Sequence, residues 1–166
     1  MADKEDIRSI LLRLEEQSPT GFAIAFHVKF TTPEFLLQTY PKEWIDLYSE
    51  RGYVMVDPTV SWGFNNEGTK RWSELADDDS VGIFKECQKF NMNYGVSVAL
   101  EQGGSRSLAS FTRHDRDFAE AECQELSELL EKLHNMTLSD GSMSAEQRQN
   151  LHDLSVQMTH PDWRKS

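Results

Sequence analysis

Positive charge is scarce in this sequence: 17 Lys and Arg stand against 28 Asp and Glu, a net charge of −11 at pH 7 with a pI near 4.8. A phosphate backbone is gripped by clustered cations that release counterions, and no such basic patch is visible, which argues against a nucleic-acid grip. Cysteine is nearly absent. Cys87 and Cys123 have neither CxxC spacing nor a secretory context, so they read as buried reduced thiols. No apolar run approaches the ~18 residues of a membrane span, and the N-terminal MADKEDIRSILLRLEEQ carries acids where a signal peptide carries bases. A cytoplasmic location is expected.

The signatures of catalysis are missing as well. His27, His114, His134, His152 and His160 are scattered without HExxH or any metal-ligand spacing, and Gly103-Gly104-Ser105 lacks the P-loop lysine. Gly95-Val96-Ser97-Val98-Ala99 comes close to the nucleophile elbow G-x-S-x-G, but strand pattern flanks it on both sides where the motif needs a strand-to-helix turn. No enzyme, metal or cofactor is expected. What remains is one domain's worth of chain, 166 residues with 38% hydrophobic and 10% aromatic content. A domain of this size buries roughly 68–70% of its unfolded surface, enough for a core without disulfides.

Ile7, Ile10, Leu11 and Leu14 fall at helical spacing and predict an amphipathic helix over residues 4–17. The period then changes to two, with Phe22, Ile24, Phe26, Val28 and Phe30 on one face of a predicted strand. Pro41 and Gly52 bracket a second helix carrying Trp44, Leu47 and Tyr48, and Asp57-Pro58 reads as an N-cap with proline at the first helical position. The run Asp77-Asp78-Asp79-Ser80 is expected to cap a helix carrying Val81, Phe84 and Cys87 toward Phe90. Strand alternation from Tyr94 to Leu100, the Gly103-Gly104 turn and a strand over about 106–112 make a hairpin. A last long helix is expected over 115–135, with Phe118, Leu126, Leu129, Leu130 and Leu133 inward and an acidic outer face. Hairpins interrupted by helices, without regular βαβ units, predict an α+β fold with an antiparallel sheet and helices on its faces.

Tyr40, Trp44 and Tyr48 stand at i, i+4 and i+8, which puts them along one side of a helix. A stripe of this kind also describes an ordinary core. Yet each ring carries a polar atom that needs a partner when buried, and Asp57 follows closely. One acceptor-only carboxylate, an indole donor and two phenols suit a small polar head group. Asp57 itself reads equally as a helix cap.

The ordered set Tyr40-x3-Trp44-x3-Tyr48, Tyr53-x3-Asp57-Pro58-Thr59-Val60 and then Trp72 closely resembles the autoinducer-binding domain of LuxR-type quorum-sensing transcription regulators. The pair Tyr94–Leu100 and Leu108-Ala109-Ser110 resembles the family's hairpin, including the serine that faces the ligand; Ala99 stands where many members have proline. The resemblance covers about residues 5–136. It implies an α-β-α sandwich around an N-acyl homoserine lactone. By the same resemblance Trp44 donates to the lactone carbonyl, Asp57 accepts from the ligand amide, Tyr40 and Ser110 donate to the acyl carbonyl, and Tyr48 and Trp72 wall the ligand. Thr59 joins the polar cluster by its proximity to Asp57.

Residues 1–138 are thus expected to form the autoinducer-binding domain. Residues 139–166 read as a linker plus a helical stub that resembles the first helix of a LuxR-type DNA-binding domain, with Ser144 and Gln147 as a capping box. The scaffold turn and recognition helix of a DNA reader do not follow before Ser166. The expected function is a non-catalytic sensor without autonomous DNA binding, forming a homodimer or a heterodimer with a full-length LuxR-type regulator. The alternative is a ligand-independent protein that inhibits such a regulator through mixed dimers.

Overall fold

The computed structural model describes residues 4–30, 32–138 and 144–157. Helix α1 (Lys4–Gln17) leads into strands β1 (Gly21–Phe26) and β2 (Phe35–Gln38), then helices α2 (Lys42–Glu50) and α3 (Pro58–Asn65). Strand β3 (Gly68–Arg71), helix α4 (Ile83–Gln88), the hairpin β4 (Tyr94–Gln102) and β5 (Ser105–Arg113), and helices α5 (Glu120–Met136) and α6 (Ala145–Gln157) complete the chain. The five strands pair antiparallel in the order β2-β1-β5-β4-β3. Gly103 and Gly104 both take positive φ, as a two-residue hairpin turn demands.

Alternation along the strands sorts side chains to two faces. Phe22, Ile24 and Phe26 of β1, Phe35 and Leu37 of β2, and Val96, Val98, Ala109 and Phe111 of the hairpin face α1 and α5 in the main core. The apolar stripe of α1 and Leu126, Leu130 and Leu133 of α5 fill the other side of that layer. Leu151 of α6 joins it, and Arg148 spans from Glu34 at 2.8 Å to the face of the Phe35 ring. The opposite face of the sheet looks toward α2, α3 and α4, where Trp44, Tyr53, Trp72, Ile83, Cys87 and Met92 form a second cluster. The architecture is the expected α-β-α sandwich, and both cysteines are free and buried.

Several elements differ from their expected extent. Strand β1 stops at Phe26, because His27 turns to φ 54° with its N–H donating to Ser107 Oγ, and Phe30 is left 96% exposed at the turn. Helix α4 starts only at Ile83, so Val81 lies outside it and exposed; Asp79 still caps it, its carboxylate accepting from the N–H groups of Ile83 and Phe84 at 2.8 Å. Helix α5 starts at Glu120 rather than Asp115, with Glu122 accepting from Ala119 N–H, while Phe118 just ahead of it still packs into the core. Strands β2 and β3, four residues each, had no counterpart in the sequence reading. The Ser144–Gln147 capping box is formed reciprocally at 2.9 and 3.1 Å.

Candidate functional site

Between the second face of the sheet and helices α2–α4 lies a cavity of about 1280 Å³. Ala23 and Ala25 of β1 are small and line it from the sheet side, so the sheet leaves open volume there. All of Tyr40, Trp44, Tyr48, Asp57, Thr59, Trp72 and Ser110 line this cavity. Only Trp44 and Tyr48 share α2; Tyr40 precedes it in a bend, because a residue before proline is driven out of the helical region and Pro41 itself sits at the N-cap. The expected three-residue helical stripe is therefore a strand-to-helix corner that aims the same rings at one space.

Asp57 is the hub of the polar end. It caps α3 as the Asp-Pro pair predicts, one oxygen accepting from Thr59 N–H at 2.9 Å and Thr59 Oγ1 at 2.8 Å. The other oxygen accepts from the Tyr48 hydroxyl at 2.7 Å, so Tyr48 holds the carboxylate as well as walling the cavity. A carboxylate has about four acceptor sites, and these three bonds leave capacity for a ligand donor. Burial pushes the Asp57 carboxyl upward, opposed by the hydrogen bonds from Tyr48 and Thr59. Burial, with Asp57 nearby, also raises the Tyr40 and Tyr48 phenols, which keeps both protonated as donors.

Trp44 is 3% exposed and packed edge-on against Tyr48, with Tyr53 and Phe90 also in ring contact. Its indole N–H has no acceptor among the described residues, whereas the Trp72 indole donates to Ser97 Oγ at 3.1 Å and its ring stacks on Phe84. Ser97 and Ser110, directly opposite in the hairpin, share a 2.6 Å hydrogen bond. Either hydroxyl of this pair can be the donor; with Ser97 donating, the Ser110 proton is left for the cavity. The Tyr40 hydroxyl donates to the Ser110 backbone carbonyl at 3.3 Å, longer than the usual 2.5–3.0 Å of an O–H···O bond and so easily exchanged for a ligand acceptor. Gly95 makes this arrangement possible: a Cβ there would lie 2.2 Å from the Trp72 ring.

Ser97 and Phe84 escaped the sequence reading as cavity residues. Ser97 had a visible signal, a small polar residue on the alternate face of an otherwise apolar strand. It sits mid-strand with Trp72 and Ser110 as its partners, far from an elbow geometry. Among the described residues no cluster of His, Cys, Asp and Glu is placed to hold a metal, and no helix is long and apolar enough to cross a membrane.

The profile of the autoinducer-binding domain matches residues 20–138, which spans the sheet, the cavity and α5. The chain belongs to this family. Curated relatives of this autoinducer-binding domain are LuxR-type transcription regulators rather than enzymes. The transcriptional activator SolR of Ralstonia nicotianae is 26% identical over 61% of this chain and 43% of its own length, and YukR of Yersinia ruckeri 24% identical over 77% and 69%. The quorum-sensing regulator RhlR of Pseudomonas aeruginosa is 23% identical over 64% and 45%. The chain thus spans about half the length of most of these relatives. Solved structures share the fold at low identity. SdiA of Escherichia coli superposes with a TM-score of 0.62 at 20% identity, covering 87% of this chain and 66% of that one. The LuxR family factor CepR2 of Burkholderia cenocepacia gives 0.53 at 14%, covering 80% and 91%.

Proposed function

We propose that this autoinducer-binding domain takes up an N-acyl homoserine lactone and acts as a non-catalytic quorum-sensing sensor. The observation that carries the reading is the pairing of a buried carboxylate having spare acceptor capacity with a buried indole donor that has no partner among the described residues, both lining a cavity with room for an apolar tail. An amide N–H meets Asp57, a lactone carbonyl meets Trp44, and an acyl carbonyl meets Ser110 and Tyr40, each a donor–acceptor match. Tyr48 and Thr59 hold Asp57, and Trp72 closes the wall. SdiA, a fold relative at TM-score 0.63, has been solved in complex with octanoyl-rac-glycerol, an acyl chain on a polar head, which agrees in kind with such a cavity.

With a charge of −11 the domain has no autonomous grip on DNA in this reading, and its output passes through dimerisation, with itself or with a full-length LuxR-type regulator. Mass spectrometry of solvent extracts tests the ligand assignment directly. Protein expressed beside an acyl-homoserine-lactone synthase is expected to release a lactone that protein expressed without it lacks. Equal extracts across synthases of differing chain length count against it.

A further inference from the structure

The strand register lays a single line of residues across the cavity floor. Gln38 of β2 pairs with Ala23 of β1, Ala23 with Ser110 of β5, and Ser110 with Ser97 of β4. All four line the cavity. At one end of this line Ser97 and Ser110 are bonded to each other; in the middle Ala23 offers only a methyl group. At the other end the Gln38 side-chain amide is partly buried and has no hydrogen-bond partner among the described residues. Adjacent strands lie about 4.7–4.9 Å apart, so the Gln38 backbone is two such steps from Ser110, within reach of a ligand that crosses Ala23.

We infer that Gln38 is a specificity-determining residue which recognises an oxygen on the third carbon of the acyl chain. The inference rests on the lactone reading above. With the acyl carbonyl at Ser110, a tail heading for the apolar lining of Ala25, Val28, Pro33 and Leu36 crosses Ala23 first. The third carbon lies two carbons along that path, beside Gln38. A plain methylene chain there displaces water from the amide without replacing its bonds, a cost that an oxygen removes. A 3-oxo group accepts from Nε2–H, and a 3-hydroxyl can accept from it or donate to Oε1. Sites built to hydrogen-bond a ligand group discriminate strongly against the analogue that lacks it.

Isothermal titration of three lactones of equal chain length, unsubstituted, 3-oxo and 3-hydroxy, into wild type and Gln38→Leu tests this. In wild type at least one oxygenated lactone is expected to bind roughly ten-fold or more tightly than the unsubstituted one. In Gln38→Leu that preference collapses while the unsubstituted lactone binds as well or better. Equal affinity for all three in wild type, or a uniform loss for all three in the variant, overturns the role of Gln38 and leaves the lactone reading standing. No binding of any lactone across a range of chain lengths overturns both.

Discussion

Asp57 serves two masters at the level of single atoms: it ends the orphan N–H groups of α3 and it presents charge to the cavity. Substitutions can separate these duties, because asparagine is as good an N-cap as aspartate but carries no charge. Asp57→Asn is expected to keep most of the fold's stability while weakening the lactone about ten-fold or more, since a charge-assisted bond is lost. Trp44→Phe keeps the ring and removes the donor, at about 1–3 kcal/mol of binding. The carboxyl's raised pKa sets a sign. The folded, ligand-free protein holds the Asp57 proton to higher pH than the unfolded chain does, so that contribution favours the fold at acid pH and fades as pH rises through the raised value. A ligand N–H prefers the carboxylate, so affinity should fall as pH drops through the same range. Dissociation constants against pH, sloping for wild type and flat for Asp57→Asn, are the check; a slope of equal size in the variant removes Asp57 as the cause. At this scale the sequence was highly informative. Tyr40, Trp44, Tyr48, Asp57, Thr59, Trp72 and Ser110 all line one cavity; helical spacing foresaw this for Trp44 and Tyr48, Tyr40 arrives from ahead of α2, and Trp72 and Ser110 were named only by the family resemblance. Gln38 was not legible, since β2 is too short to show a period.

Two histidines join the end of β1, the β4–β5 hairpin and α5. His27, just past β1, bonds Ser105 at 2.8 Å through one ring nitrogen and Thr137 at 2.7 Å through the other. His134 of α5 bonds Ser107 and the Gln102 carbonyl, and the two rings lie 4.5 Å apart. Burial, then the neighbouring His134, lowers His27 to about 4, with Glu34 pulling upward and Arg148 downward. The unfolded chain takes its proton near pH 6.5 and the folded one only near 4, so stability present above 6.5 is lost progressively as pH falls across that window. His27→Asn tolerates the positive φ and does not titrate. It is expected to cost stability at pH 7 through lost bonds, yet to flatten the decline between pH 6.5 and 5 in urea midpoints. An unchanged acid slope assigns the decline elsewhere. The same joint explains why β1 ran shorter than its alternating pattern. Val28 and Phe30 continue the period, but tertiary bonds donated by His27 N–H to Ser107 Oγ and by Val28 N–H to the Arg106 carbonyl bend the chain away. Local alternation carries no information about such partners, some eighty residues distant.

Across the whole molecule, one sheet face is a filled core and the other encloses the cavity. An apolar cavity of this size holds back dispersion contacts that a ligand restores, and a ligand that binds only the native state raises its stability by mass action. At about 100 times its dissociation constant the gain is about 2.7 kcal/mol. For a chain of 150–250 residues each kcal/mol moves the melting temperature by about 2–4 °C, so a matching lactone should raise it by roughly 5–11 °C. The shift should grow with the logarithm of ligand concentration and shrink in Trp44→Phe and Asp57→Asn, which ties it to the polar end of the cavity. Gly95→Ala probes the same coupling from the other side. Its Cβ must displace the Trp72 ring, so the variant is expected to melt lower by the equivalent of about 1–3 kcal/mol of overpacking strain. It should also lose most of the ligand-induced shift, because Trp72 anchors both the cavity wall and the Ser97–Ser110 pair. A Gly95→Ala protein that melts lower but keeps the full shift would show that the wall and the ligand are energetically separate, and that Trp72 packs the fold without shaping the site.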